Sequence, residues 1–251
     1  NSTSQKNLNH FFEKNKKNYY NSLGETIHIL SKNKNVKVFD IIFKPVETLL
    51  LRTSKVMNLN FINGKYIMAW RGTGQNNIWT SYSTDGLNWS AQVELTDRAT
   101  TQNPSLAGVD GIGAVMAWHG LDQNNIWISY STDGITWGPQ QELTDRASQS
   151  GPAVTGTNTN GGLYAMLWRG LDQDNLWTSN SKNGKAWSAQ HEITTSATNN
   201  SPGITHSDQL GVFYAGWHGL DAPNNPNIFV SWSKDGINYA PQVDTGMQSQ
   251  N

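Results

Sequence analysis

Four segments of the chain set polar side chains beside aromatic ones in a way that suits a hydroxyl-rich ligand. They are Trp70-Arg71-Gly72-Thr73-Gly74, Trp118-His119-Gly120-Leu121-Asp122, Trp168-Arg169-Gly170-Leu171-Asp172 and Trp217-His218-Gly219-Leu220-Asp221. Each is followed by an Asn (Asn77, Asn125, Asn175, Asn227), and two residues later by Trp79, Trp127, Trp177 or Phe229. Guanidinium, imidazole, carboxylate and amide groups exchange hydrogen bonds with vicinal hydroxyls, and an indole face packs on the C–H side of a pyranose. The same residues can be structural, with Asp and Asn closing their own loops and Arg or His stacking on the neighbouring Trp. Repetition in near-identical form favours a shared ligand. The candidate binding residues are therefore Arg71, His119, Arg169, His218, Asp122, Asp172, Asp221, Asn77, Asn125, Asn175, Asn227, Trp79, Trp127 and Trp177.

Catalysis makes a different demand. A glycosidase needs two carboxylates facing one substrate, about 5–5.5 Å apart for retention or 6.5–9.5 Å for inversion. One substrate sits once, so catalytic groups in a repeated chain must break the repeat. Among the acidic residues after position 55, Asp110, Asp174 and Asp208 do so. Asp110 and Asp208 are expected in turns on the face opposite the candidate rim, Asp174 on the rim but alone, with Glu25, Asp40 and Glu47 available from the N-terminal segment. No catalytic residue is assigned. Walker, dinucleotide-binding, HExxH and serine-elbow patterns are absent. His206 with Asp208 reads as a solvated pair rather than a metal site, and no metal or other cofactor is expected.

The elements that must position these residues follow from the spacing. The four Trp-x-Gly segments recur every 48 to 50 residues, and a second marker keeps step with them: Ser83-Thr84-Asp85-Gly86-Leu87-Asn88-Trp89, Ser131 to Trp137, Ser181 to Trp187 and Ser233 to Tyr239. A period of that length signals stacked or radial repeats. Each unit reads as four short strands; in the second they are expected at Pro104–Val109, Ala114–Trp118, Asn125–Ser131 and Trp137–Leu143. Four strands per unit predict an all-β fold, a β-propeller of four-stranded antiparallel blades. The repeats divide at about 54–102, 103–150, 151–200 and 201–251. In such a blade the loop between second and third strands shares one rim with the blade-to-blade connection, which would place Asp97-Arg98 and Asp145-Arg146 there too.

In the second marker, Asp accepts backbone N–H groups, Gly takes positive φ and the aromatic ring plugs the blade. The segment resembles the Asp-box repeats (BNR type) of the sialidase superfamily and of bacterial lectin-like propellers, shortened by one residue between Asp and Gly. Asp85, Asp133, Asn183 and Asp235 would be the structural Asp-box residues, Asn183 replacing Asp and Tyr239 replacing Trp. The resemblance covers residues 54 to 245 and implies a fold shared by enzymes and binding proteins alike. Sialidases use three Arg on the substrate carboxylate, a Tyr–Glu nucleophile pair and an Asp acid. Their Arg-Ile-Pro motif is absent here, and of the Arg residues only Arg52 lies outside the repeat.

Residues 1–53 form an N-terminal arm or a degenerate blade, which would make five in all. Asn7 to Tyr20 suits a short helix, Thr26 to Ser31 and Val36 to Phe43 suit strands. The formal net charge of −1 gives no reason to expect nucleic acid or an anionic membrane as partner. The chain has no cysteine, so disulfides and thiol chemistry are excluded. No apolar run is long enough to span a membrane. The expected function is a multivalent, lectin-like binder of glycans or glycoconjugates, secreted or at the cell surface. A sialidase-like glycoside hydrolase and a protein-binding scaffold are the alternatives.

Overall fold

The computed structural model describes residues 60–220 and 227–248, with side chains from residue 62. These residues form sixteen strands in four antiparallel sheets, each ordered as in the chain. Blade 1 holds β1 (Asn60–Ile62), β2 (Lys65–Arg71), β3 (Asn77–Ser83) and β4 (Val93–Ala99). Blade 2 holds β5 (Ser105–Val109), β6 (Gly113–His119), β7 (Asn125–Ser131) and β8 (Gln141–Ala147). Blade 3 holds β9 (Ala153–Thr157), β10 (Leu163–Arg169), β11 (Asn175–Ser181) and β12 (His191–Ala197). Blade 4 holds β13 (Gly203–Ser207), β14 (Val212–His218), β15 (Asn227–Ser233) and β16 (Val243–Gln248). The first strands of consecutive blades pack on one another, β1 on β5, β5 on β9 and β9 on β13. The chain is a β-propeller. The expected N-terminal helix, strands and fifth blade, and Asp221, lie outside the described residues. Among those residues no helix is long and apolar enough to cross a membrane.

Second strands are apolar at nearly every position because both of their faces are covered. In β6, Ala114, Met116 and Trp118 join the core shared with blade 1, while Val115 and Ala117 join the core shared with blade 3. Trp168 and Leu167 of β10 divide in the same way between blades 2 and 4.

The fourth strand of blade 2 begins at Gln141, not at Trp137 as expected. Trp137 belongs instead to the Asp–Gly turn, where its ring is buried and Gly138 N donates to Tyr130 O at 2.9 Å. The turn is tied by its acid: Asp85 Oδ1 accepts from Leu87 N at 2.8 Å and Asn88 N at 2.7 Å, and Ser83 Oγ accepts from Gly86 N at 2.8 Å. In blade 3 the amide oxygen of Asn183 takes the carboxylate's place, accepting from Lys185 N and Ala186 N. These turns dock on the preceding blade. Gly134 has φ +74, and a Cβ there would stand 2.2 Å from Ile67 Cδ1; the equivalent Gly184 and Gly236 face Val115 and Ala165. Bonds to the Asn88 amides and to Leu87 N hold the Asp85 carboxyl well below the usual carboxylate range. Partial burial pushes Asp235 up, but the backbone amides of Asn238 and Ile237 outweigh it and bring it down to about 2.

Candidate functional site

The loop between second and third strands meets the blade-to-blade connection at one rim. Thr100 N donates to Asn76 O, Ser148 N to Asn124 O and Thr198 N to Asp174 O, each at 2.8 Å. The opposite rim carries the hairpins between first and second strands together with the Asp–Gly turns, as Asn63 Nδ2 donating to Thr132 O at 3.1 Å shows. Asp110 and Asp208 fall on that opposite rim and link neighbouring blades. Asp110 Oδ1 accepts from Asn63 N at 3.1 Å, and Asp208 Oδ1 accepts from Thr157 Oγ1 at 2.9 Å.

On the upper rim one row of side chains crosses each blade. Trp70 pairs with Trp79 and Trp79 with Glu94; Trp118, Trp127 and Glu142 follow the same register, as do Trp168, Trp177 and Glu192. In blade 4 the row is Trp217, Phe229 and Asp244, with the two rings stacked at 6.4 Å between centroids. The glycine of each Trp-x-Gly segment is obligatory here. A Cβ on Gly72, Gly120 or Gly170 would stand 2.5–2.7 Å from the Nε1 of Trp79, Trp127 or Trp177, so one indole face lies on bare backbone. The Asn candidates join the row. Asn77 Nδ2 donates to Glu94 Oε1 at 2.6 Å and Asn227 Nδ2 to Asp244 Oδ2 at 2.7 Å, while Asn125 and Asn175 donate to Glu142 and Glu192.

The four residues at the Arg/His position are not equivalent. Arg71 Nη1 donates to Thr101 O at 2.5 Å and Arg169 Nη1 to Asn199 O at 2.9 Å, so both brace the connection to the next blade. Arg169 Nε also donates to Asp174 Oδ1 at 2.9 Å, which accounts for the acid that breaks the repeat on this rim. His119 and His218 are shorter, and among the described residues their ring nitrogens are buried without a hydrogen-bond partner. Asp122 and Asp172 stand exposed at their loop tips.

Two expectations are corrected. Arg98 and Arg146 are not rim donors. A three-residue bulge in β4 and β8, where Ile78 pairs with Leu95 but Asn77 with Ala99, turns these side chains inward, and both are 3% exposed. They donate to Gly138 O and Ser188 O of the next blade. Burial lowers the pKa of each guanidinium, opposed by Asp97 or Asp145. Nor is the His206 side chain solvated. It is 2% exposed, lies edge-on to Phe213 at 4.5 Å, and its Nδ1 pairs with Asp208 Oδ1 at 2.8 Å. Burial holds its pKa below 6.5, with Asp208 opposing the shift. Among the described residues no group of three or more His, Asp or Glu could hold a metal ion.

The sequence reading missed Glu94, Glu142, Glu192 and Asp244. Their signal was present: an acid recurs just before each Leu/Ile/Thr of the fourth strand, in step with the Trp. Only the cross-strand register sets it beside the indole and the Asn amide.

No protein-family model matches the chain, and no curated protein matches it in sequence. Solved structures of similar fold do. The N224Q mutant of Aleuria aurantia lectin, in complex with α-methyl-L-fucoside, is 14% identical with a TM-score of 0.50, covering 74% of this chain and 58% of the lectin. Penicillium chrysogenum α-L-arabinanase with arabinobiose is 14% identical with a TM-score of 0.52, covering 74% of this chain and 65% of the enzyme. The NanB sialidase of Streptococcus pneumoniae is 11% identical with a TM-score of 0.52, covering 76% and 51%. The matched region spans under two thirds of the length of each. At these identities the likeness is one of fold.

Proposed function

We propose that this propeller binds glycans through repeated sites on its upper rim, one per blade, in the manner of a multivalent lectin, and that it acts outside the cell or at its surface. The observation that carries the reading is the row of Trp, Glu and Asn set in one register in blades 1 to 3, with Phe229, Asp244 and Asn227 as its counterpart in blade 4. Each row offers an aromatic plane, a carboxylate acceptor and an amide, the groups a pyranose requires. Asp122 and Asp172 complete the sites from the adjoining loops, with His119 and His218 at the ends of β6 and β14 and with Arg71 and Arg169 bracing theirs; Asp221 is assigned the same role from its place in the sequence repeat. That fold neighbours include a lectin with a bound fucoside supports the same reading. Linking several weak sites on one frame raises avidity by about ten- to ten-thousand-fold. The Ser-x-Asp-Gly turns are taken as Asp-box turns with a structural role.

A hydrolase is less well supported. Asp174 is paired with Arg169, while Asp110 and Asp208 join blades on the other rim. A glycan array followed by calorimetry tests the proposal. Stoichiometry above one is expected, and Trp127→Ala should lower it by one site while the fold is kept. Binding to no glycan, or release of chromophore from aryl glycosides, would refute it.

A further inference from the structure

A strand sends alternate side chains to opposite faces of its sheet, so a blade has one face toward the blade before it and one toward the blade after it. In blade 4 the first of these is filled, since Ala215 and Trp217 of β14 join the core shared with blade 3. The other face carries Tyr214 and Gly216 of β14, opposite Trp232 and Val230 of β15. Where blade 4 has Tyr214, the earlier blades have Ile67, Val115 and Ala165, all fully buried where the Asp–Gly turn of the next blade docks. Tyr214 is 37% exposed, and Trp232 is 45% exposed.

This face differs from the three before it in relief as well as in exposure. Thr205, Tyr214 and Trp232 lie in one row across β13, β14 and β15, so two exposed aromatic rings stand side by side. The next row on the same face is Gly203, Gly216 and Val230. Both glycines are open: the nearest atom to an added Cβ is 3.8 Å away at Gly203 and 3.9 Å away at Gly216. Blades 1 to 3 hold Ala69, Ala117 and Leu167 in the place of Gly216. The face of blade 4 is therefore an aromatic ridge beside a glycine hollow, and none of the residues in the two rows is charged.

We infer that this face of blade 4 docks on the same face of a second copy of the chain, the Tyr214 and Trp232 rings of each copy entering the hollow over Gly203 and Gly216 of the other. A two-fold contact sets one patch against itself, so the patch has to complement itself. Ridge and hollow lie in adjacent rows here, and a two-fold axis running across the strands between those rows places each ridge over the other copy's hollow. The absence of charge serves the same end, because like charges brought face to face repel, whereas a neutral aromatic patch meets its own image without that cost. A further blade of the same repeat is a poorer occupant, since its turn glycine would meet the Tyr214 ring in place of the smaller Ile67, Val115 or Ala165. An axis across the strands reverses their direction, so the upper rims of the two copies point opposite ways. The inference does not depend on what those rims bind.

Sedimentation equilibrium on the intact chain, over a wide range of concentration, tests the contact. The mass of two chains is expected, falling toward one on dilution. Gly216→Leu gives blade 4 the residue that blade 3 carries at this place, Leu167, and Gly216 is not among the glycines with positive φ, so the variant should fold, fill the hollow and sediment as one chain. Trp232→Glu, a change at an exposed side chain, should do the same by forcing a charge into the contact. Leu87→Glu removes another exposed apolar side chain, 74% exposed on the Asp–Gly turn of blade 1, and should leave the mass at two chains. Circular dichroism checks that each variant is folded. The mass of one chain for the intact protein at every concentration would overturn the inference. A two-chain mass that both Gly216→Leu and Trp232→Glu keep, or that Leu87→Glu abolishes, would overturn it as well, because the contact would then lie on another surface.

Discussion

Replacing Gly134 by Ala tests the idea that the Asp–Gly turns lock each blade to the one before it. Two costs are expected. At φ +74 an L-residue loses roughly 1–2 kcal/mol for the left-handed conformation alone. The added Cβ would also stand 2.2 Å from Ile67 Cδ1 and 2.8 Å from Ile67 Cγ1, and 3.1 Å from Ile62 Cγ2. Ile67 and Ile62 are both fully buried, so neither can swing into solvent. Overpacking of this kind costs about 1–3 kcal/mol. Gly64→Ala separates the terms, because Gly64 has nearly the same φ, +77, and nothing within 4 Å of an added Cβ. Urea unfolding followed by tryptophan fluorescence should show both variants destabilised, with Gly134→Ala worse than Gly64→Ala by about 1–3 kcal/mol at an unchanged m-value. Equal destabilisation would refute the docking role, since the backbone term would then account for everything.

Two predictions concern pH. Asp235 ionises at about 2 in the folded chain against 3.8 for the free side chain, so its contribution to stability is complete above 3.8 and is lost as pH falls toward 2. Asp235→Asn should flatten the acid limb of the stability curve between pH 4 and 2, and an unchanged limb would mean that other carboxylates control it. His206 is lowered from 6.5 by burial, so below that pH the unfolded chain takes up a proton that the folded chain resists. Stability should therefore be full above pH 6.5 and decline as pH falls below it. His206→Phe, which keeps a ring against Phe213, should remove that decline; thermal melts across pH 5 to 8 decide the point.

The sequence by itself determined the blade, its number of strands and the chemistry of its turns. Trp-x-Gly and Ser-x-Asp-Gly markers repeating every 48 to 52 residues leave little room for any other architecture, because period and turn chemistry are both local properties. The alternation within β7 was legible for the same reason, and its expected bounds, Asn125–Ser131, are those observed. Where the fourth strand starts was not. Trp137 is apolar and reads as strand, yet it belongs to the turn, since its burial depends on the preceding blade. The rim candidates show the same division. Residue types marked Arg71 and Arg169 as donors, but only the connection lying 30 residues further along the chain supplies the carbonyls of Thr101 and Asn199 that they reach.

Tertiary structure alone decided which identical-looking residues stay on the rim and which turn into the protein. Glu94, Glu142 and Glu192 stand beside an indole because antiparallel register puts them there, and register is a relation between strands rather than a property of either. The bulges decided the rest. Shifting the pairing by three residues turned Arg98 and Arg146 from the rim into the blade junctions, and the same geometry buries the shorter Ser196 at the third. A sequence shows that arginine is replaced by serine at that position; that the Ser196 hydroxyl is buried without a partner among the described residues is decided only where two blades meet.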